Sequence, residues 1–274
     1  MGTLTDNSVS IHFLGVGSAF TTSDYYQSNL LLTANNGHAM LVDCGSDARF
    51  SLRDWSAQQG QPPPLIHAVY ISHLHADHIG GMEWLAFNTY FNPNAPKPIL
   101  FGVKSMLDDL WNKSLRGGLE YIGEKVMELS DYFEVREVKP DLPFEWEGVT
   151  FTPIKLLHVN NAKHKVYSYG LIIQGADIDT SYLFTSDTVF DDTLKEILTT
   201  WISKVGYIFQ EVETVPFRTG VHPHYEDLCT LDPAIRKKMW LYHHSPDPPY
   251  APEKDGFMGF IHKGDRFPIR LTKA

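Results

Sequence analysis

The chain has 274 residues, 43% hydrophobic and 20% charged, with 23 basic against 33 acidic side chains for a formal charge of −10. That length can bury one large core or two small ones, the acidic balance argues against the basic surface that extended nucleic-acid binding needs, and no apolar run approaches the ~20 residues of a membrane span. Two cysteines, Cys44 and Cys229, are too few for a disulfide framework, and Met1 to Ser10 lacks the charged-then-apolar order of a signal peptide, so a reducing, cytoplasmic setting is expected.

In chain order, Val9, Ile11 and Phe13 mark a strand that ends at Gly15. Leu30 to Thr33 and Ala39 to Val42 read as two more, joined by a hairpin turn at Asn35-Asn36-Gly37. Asp43-Cys44-Gly45 breaks the third strand, and Ala48 to Gln59 reads as a helix. Pro62-Pro63-Pro64 is a stiff connector rather than a domain linker. Leu65 to Ser72 is a buried strand, Ile79 to Tyr90 a helix, and Gly102 to Ser130 mostly helical with a break at Arg116-Gly117-Gly118. Strands are expected again at Tyr132 to Val138, Val149 to Leu157, Tyr167 to Ile173, Ser181 to Thr185, Val205 to Glu211 and Met239 to Tyr242. With no repeat and no low-complexity tract, residues 1–274 read as a single layered α/β domain with helices outside packed sheets.

The 13 histidines are mostly clustered. The segment His73-Leu74-His75-Ala76-Asp77-His78 sets four potential ligands within six residues, directly after an apolar strand and before a helix. Imidazole and carboxylate without thiolate suit zinc, with manganese as the alternative. One such histidine would read as a polar loop residue; four together do not. His158, Asp187 and His243 each follow an apolar strand in the same way, although the pair His243-His244 offers two choices. Loops gathered at the ends of strands are where α/β proteins build sites.

The order His-x-His-x-Asp-His, His158, Asp187, His243 resembles the metallo-β-lactamase superfamily along nearly the whole chain. The resemblance implies an αββα sandwich with mixed sheets and two divalent metal ions side by side. One would take His73, His75 and His158, the other Asp77, His78 and His243, with Asp187 shared. Asp43 matches a position that orients a ligand from behind. Phe13-Leu14-Gly15-Val16-Gly17-Ser18 is similar to the opening of the tRNA 3′-processing endonuclease branch, although Phe20 stands where a phosphate loop would want a third glycine. Gln210-Glu211 and the later His222-Pro223-His224 resemble that branch's carboxylate–histidine pair, which protonates the leaving oxygen. Glu211 with His224 fits by position, and His222 is the rival.

The tRNA enzymes carry a long basic arm before the bridging aspartate. Here the interval from His158 to Asp187 reads as strands and leaves no room for one. Residues Val221 to Thr230 and Lys238 to His243 instead resemble the small cyclic-nucleotide phosphodiesterases, among them the anti-Pycsar enzymes of phages. That resemblance implies hydrolysis of nucleoside 3′,5′-cyclic monophosphates, pyrimidine ones included, to 5′-monophosphates. The setting would be a bacterial cytoplasm, or that of a phage's host. Tyr25, Tyr26, Trp84, Phe87 and Tyr90 are the candidates for base contact. A homodimer is expected, with Trp84 to Phe91 as contact or lid. A tRNA endonuclease is the alternative from the same site, and a non-catalytic binding protein would show eroded ligands where all seven are present.

Overall fold

The computed structural model describes residues 8–161 and 163–272, so the polar start read above lies outside it for 1–7. Its strands are β1 (Ser8–Phe13), β2 (Leu30–Ala34), β3 (Ala39–Val42), β4 (Ala68–Tyr70), β5 (Ile99–Val103), β6 (Tyr121–Ile122), β7 (Lys125–Val126) and β8 (Glu134–Val138) in the first half. The second half has β9 (Phe144–Trp146), β10 (Val149–Asn160), β11 (Lys165–Gln174), β12 (Tyr182–Phe184), β13 (Tyr207–Glu211), β14 (Met239–Tyr242), β15 (Gly259–Phe260) and β16 (Arg266–Arg270).

They form two seven-stranded sheets, ordered β16-β1-β2-β3-β4-β5-β8 and β15-β14-β13-β12-β11-β10-β9, beside the small β6–β7 hairpin. Both sheets are mixed. In the first, β3, β4, β5 and β8 run parallel; in the second, β12 to β15 do.

Side-chain alternation decides which layer each residue joins. Along β11 to β14, Leu171, Ile173, Tyr182, Phe184, Phe209 and Tyr242 enter the core shared with the first sheet. Their neighbours Ile172, Leu183, Ile208 and Leu241 point to the opposite face. Phe13 of β1 meets Phe209 at 5.1 Å and Tyr242 at 5.9 Å between ring centroids, which ties the sheets face to face. The outer face of the second sheet is covered by helix Asp192–Trp201, whose Leu194 and Leu198 stand one turn apart and fully buried. The Asp191 side chain caps that helix by accepting from the Leu194 amide at 2.9 Å. Helices Ala48–Gln58 and Met82–Tyr90 bury Leu52 and Leu85 in the core cluster that contains the first sheet. The result is the αββα sandwich. Among the described residues, no helix is long and apolar enough to cross a membrane.

Several elements differ from their sequence reading. The expected strand Leu65 to Ser72 shortens to β4, flanked by His67 and Ile71, whose backbone still bonds Ala39, Ile99 and Phe101. The expected helix Ile79 to Tyr90 is two pieces, a turn at Ala76–Ile79 and a helix at Met82–Tyr90, separated by Gly80-Gly81. Strand β5 has no counterpart in the sequence reading, and its last two residues, Gly102 and Val103, fall at the start of the expected helical region. After it, the chain stays helical through Arg116–Leu119, so Arg116-Gly117-Gly118 is no break. Tyr132 closes a short helical turn, and the strand expected from it starts at Glu134.

A candidate metal centre at the strand ends

Strands β4, β12, β13 and β14 deliver His73, Asp187, Glu211 and His243 at or just past their C-terminal ends. The segment after β4 turns through Ala76–Ile79 and presents Asp77 and His78, both buried, back toward the sheets. That turn lies on the Asp43-Cys44-Gly45 loop so closely that only glycine fits at the crossing. A Cβ on Gly45 would meet the Asp77 carbonyl at 2.1 Å, and one on Gly81 the Gly45 carbonyl at 2.4 Å. Asp43 (φ 64°), Ser186 (φ 55°) and His243 (φ 64°) all adopt the left-handed backbone, the kind of strain that collects at functional sites. His158, expected just past its strand, instead sits inside β10. A register shift between Leu157 and Val159 marks a bulge there that re-aims the ring.

One oxygen organises the cluster. Asp187 Oδ2 lies 3.8 Å from His73 Nε2 and 3.9 Å from His158 Nε2 on one side. On the other it lies 3.4 Å from both His78 Nε2 and His243 Nε2. His75 Nδ1 is 3.0 Å from His158 Nε2, and Asp77 Oδ2 is 3.2 Å from His243 Nε2. Among the described residues donor atoms fall into two sets that share Asp187, His73–His75–His158–Asp187 and Asp77–His78–Asp187–His243, and a third group, Glu211–His222–His243, at the rim, each within 4.8 Å. His73 Nε2, His78 Nε2 and Asp187 Oδ1 are buried without a hydrogen-bond partner. Buried polar atoms are rarely left so. The orphans converge where an ion would sit, and the donors are those a divalent metal takes, so the residues fit the group.

The protein's own charges prepare these ligands. Burial pulls His73 well down and His158 down to about 4, so both imidazoles stay neutral, the form that ligates. Burial would lower His78 too, but the Asp187, Asp77 and Asp43 carboxylates overcome it and raise that ring's pKa. His78 must therefore shed its proton to accept a metal. Asp43 Oδ2 accepts from His78 Nδ1 at 2.7 Å, while Asp43 also receives the Ser72 amide at 2.8 Å and its hydroxyl at 2.6 Å. This fixes the tautomer and leaves Nε2 toward the centre. Asp43→Ala is expected to weaken metal binding by about 10–100-fold in a chelator competition. Unchanged affinity would show that Asp43 serves the backbone turn alone.

His222, not His224, faces Glu211. His222 Nδ1 lies 3.1 Å from Glu211 Oε2 and 3.2 Å from Oε1, with its ring half-buried at the rim of the centre. Burial works to lower the His222 pKa, but the Glu211 carboxylate prevails and pushes it up to about 10. His224 is spent on backbone: Nε2 donates to the Val215 carbonyl at 3.0 Å, and Nδ1 accepts the Glu226 amide at 3.3 Å. The expected Glu211–His224 pairing is corrected on this geometry. Of the adjacent histidines, His243 reaches Asp187, whereas His244 Nδ1 bonds the Ser245 carbonyl at 2.9 Å.

None of the aromatics expected to contact a base lines the cavity beside His222 and His243. Tyr25 bonds Asp247 at 2.7 Å and Tyr26 bonds Asp54 at 2.5 Å. Trp84 and Phe87 line a separate depression with Arg49, and Tyr90 packs on Phe91 and Tyr132. The cavity beside His222 and His243 is lined instead by Phe20 and Phe217, which sequence reasoning missed. Gly15 and Gly17 are where the chain packs on itself. A Cβ on Gly15 would strike the Gln27 carbonyl at 2.2 Å, and Gly17 bridges to Gln27 and His244.

A family model described as anti-Pycsar protein Apyc1 matches residues 9–267. The chain is 31% identical over 268 residues to an anti-Pycsar protein Apyc1 of Bacillus phage vB_BveM-Goe7, covering 94% of this chain and 97% of that one. Its fold is similar to that of unliganded yeast PDE1, at TM-score 0.68 and 14% identity over 96% of this chain and 99% of the other. It is also similar to human tRNase Z, short form, at TM-score 0.63 and 17% identity over 96% and 100%.

Proposed function

The chain belongs to the Apyc1 family of anti-Pycsar proteins, and from that premise we propose that it is a two-metal phosphodiesterase hydrolysing nucleoside 3′,5′-cyclic monophosphates, pyrimidine ones included, to 5′-monophosphates. The observation that carries the reading is the placement of Glu211–His222 against the rim of seven convergent donors. His73, His75 and His158 would hold one ion and Asp77, His78 and His243 the other, with Asp187 common to both. Zinc suits these ligands best and manganese is the alternative. Bound there, two divalent ions supply Lewis acidity to the phosphoryl group and acidity to a water.

The chain's own side chains do the rest. Glu211 holds the His222 ring by Nδ1 and keeps it charged, and Nε2 then hands a proton to the departing 3′ oxygen. An alkoxide leaves badly, so that proton is typically worth ~10²–10⁴ in rate. Glu211 is itself fixed, because its Oε1 receives the Thr188 amide at 2.8 Å.

A small substrate also suits the surface. The interval from His158 to Asp187 holds the β10–β11 hairpin and β12, so among the described residues no arm protrudes to grip a tRNA. The metal-loaded protein should convert cyclic CMP, UMP, AMP and GMP to 5′-monophosphates, with weak dependence on salt, and leave a precursor tRNA largely uncut. Trimming of the tRNA 3′ end with all four cyclic nucleotides untouched would replace this reading with the endonuclease.

A further inference from the structure

Beside His222 and His243 lies a cavity of about 410 Å³ whose other walls include Phe20, Val215, Phe217 and Pro246. Phe20 follows β1 of the first sheet, and Val215 and Phe217 follow β13 of the second, so the cavity opens where loops of the two sheets meet the metal centre. Phe20 is 94% exposed and Phe217 64%. A phenylalanine left in water forgoes the burial that holds Phe13 or Phe209 in the core. Two such rings at one cavity are a functional signal that scattered surface apolar residues are not.

Both rings ride on anchored backbone. The Phe20 loop is pinned where Gly17 donates its amide to the Tyr26 carbonyl at 2.8 Å and packs on Thr21, leaving no room for a Cβ at Gly17. The Phe217 loop is held at both ends and beside the ring. His224 bonds the Val215 carbonyl, Glu213 Oε2 receives the Thr219 amide at 2.9 Å, and His158 Nδ1 bonds the Val221 carbonyl at 3.0 Å. Arg218, next to Phe217, pairs with Glu226 and Asp227 at 2.9 and 3.1 Å. Aromatic faces carried on hydrogen-bonded loops beside the metal centre suit a flat, uncharged, aromatic ligand.

We propose that Phe20 and Phe217 are the stacking walls of a nucleobase subsite, taking the base of a cyclic mononucleotide whose phosphate occupies the adjoining metal centre. This rests on the phosphodiesterase reading above. Stacking is tolerant of base identity, because every base offers a π-face. The subsite would therefore admit purines and pyrimidines alike.

The test is calorimetric titration of the metal-loaded protein with a slowly hydrolysed phosphorothioate analogue of cyclic CMP, alongside steady-state kinetics on cyclic CMP. Phe20→Ala and Phe217→Ala should each raise Kd and KM roughly fivefold or more, the double variant more still, with kcat little changed. Phe217→Trp should keep binding near the wild-type level. Cleavage of the 1-O-methyl ribose 3′,5′-cyclic phosphate, which lacks a base, should not respond to the substitutions. If the wild type cleaves cyclic CMP while the double variant binds the analogue equally well, the subsite is wrong and the phosphodiesterase stands. A wild type that holds metal yet neither binds nor cleaves cyclic CMP sinks both.

Discussion

Asp187→Asn should leave a folded protein that has lost most of its metal and turns over cyclic nucleotides only at background. The aspartate is buried, and its Oδ2 lies within 3.9 Å of ring nitrogens from His73, His78, His158 and His243. Asparagine keeps the volume, so packing is hardly disturbed. It removes the negative charge and gives the four imidazoles an amide in place of a shared anion. Without that carboxylate both donor sets lose their common ligand, and mutual repulsion of two cations would no longer be offset. Elemental analysis after zinc loading should fall from about two ions per chain to one or fewer. An unchanged near-ultraviolet circular dichroism spectrum would certify the fold. A variant that still holds two ions and still turns over would show that Asp187 is not the ligand the two ions share.

Asp187 was legible in the sequence for the same reason as His73 to His78: each follows an apolar strand that the eye can find. Short-range features of this kind survive in three dimensions, because a strand end fixes where the next side chain emerges. His158 was found for an imperfect reason, since the strand runs past it and a bulge does the aiming. Which of His222 and His224 meets Glu211 was not legible. The two stand either side of Pro223, and the outcome depends on the Glu213–His224 backbone bridge, a contact no local pattern encodes. Strand β5 hid because its apolar run carries no alternation and leads straight into a helix. β16, an edge strand with Pro268 and mostly charged or exposed positions, offered almost no signal. Phe20 and Phe217 were missed because composition does not say which aromatics stay in water.

The geometry around Glu211 makes a second large effect testable. His222→Ala should lower turnover of cyclic nucleotides by roughly 10²–10⁴ with the metal content intact, the usual reach of a positioned proton donor. A nitrophenyl phosphodiester, whose leaving oxygen departs without a proton, should be far less affected. The pH profile supplies an independent readout. A donor acts in its protonated form, so wild-type activity should fall as pH rises through the His222 pKa. By the protein's own charges that value is about 10, and cations bound alongside would pull the alkaline limb below it. In His222→Ala this limb should vanish, and Glu211→Gln should move it to lower pH by withdrawing the charge that holds the proton on. His224→Ala is the control: loss of its bond to the Val215 carbonyl should cost about 1–3 kcal/mol of stability and loosen the Phe217 loop, with losses shared by both substrates. Equal losses on both substrates in His222→Ala would mean that the ring positions the phosphate and donates nothing; the leaving-group-selective pattern in His224→Ala would return the donor's role to the histidine that the structure spends on backbone.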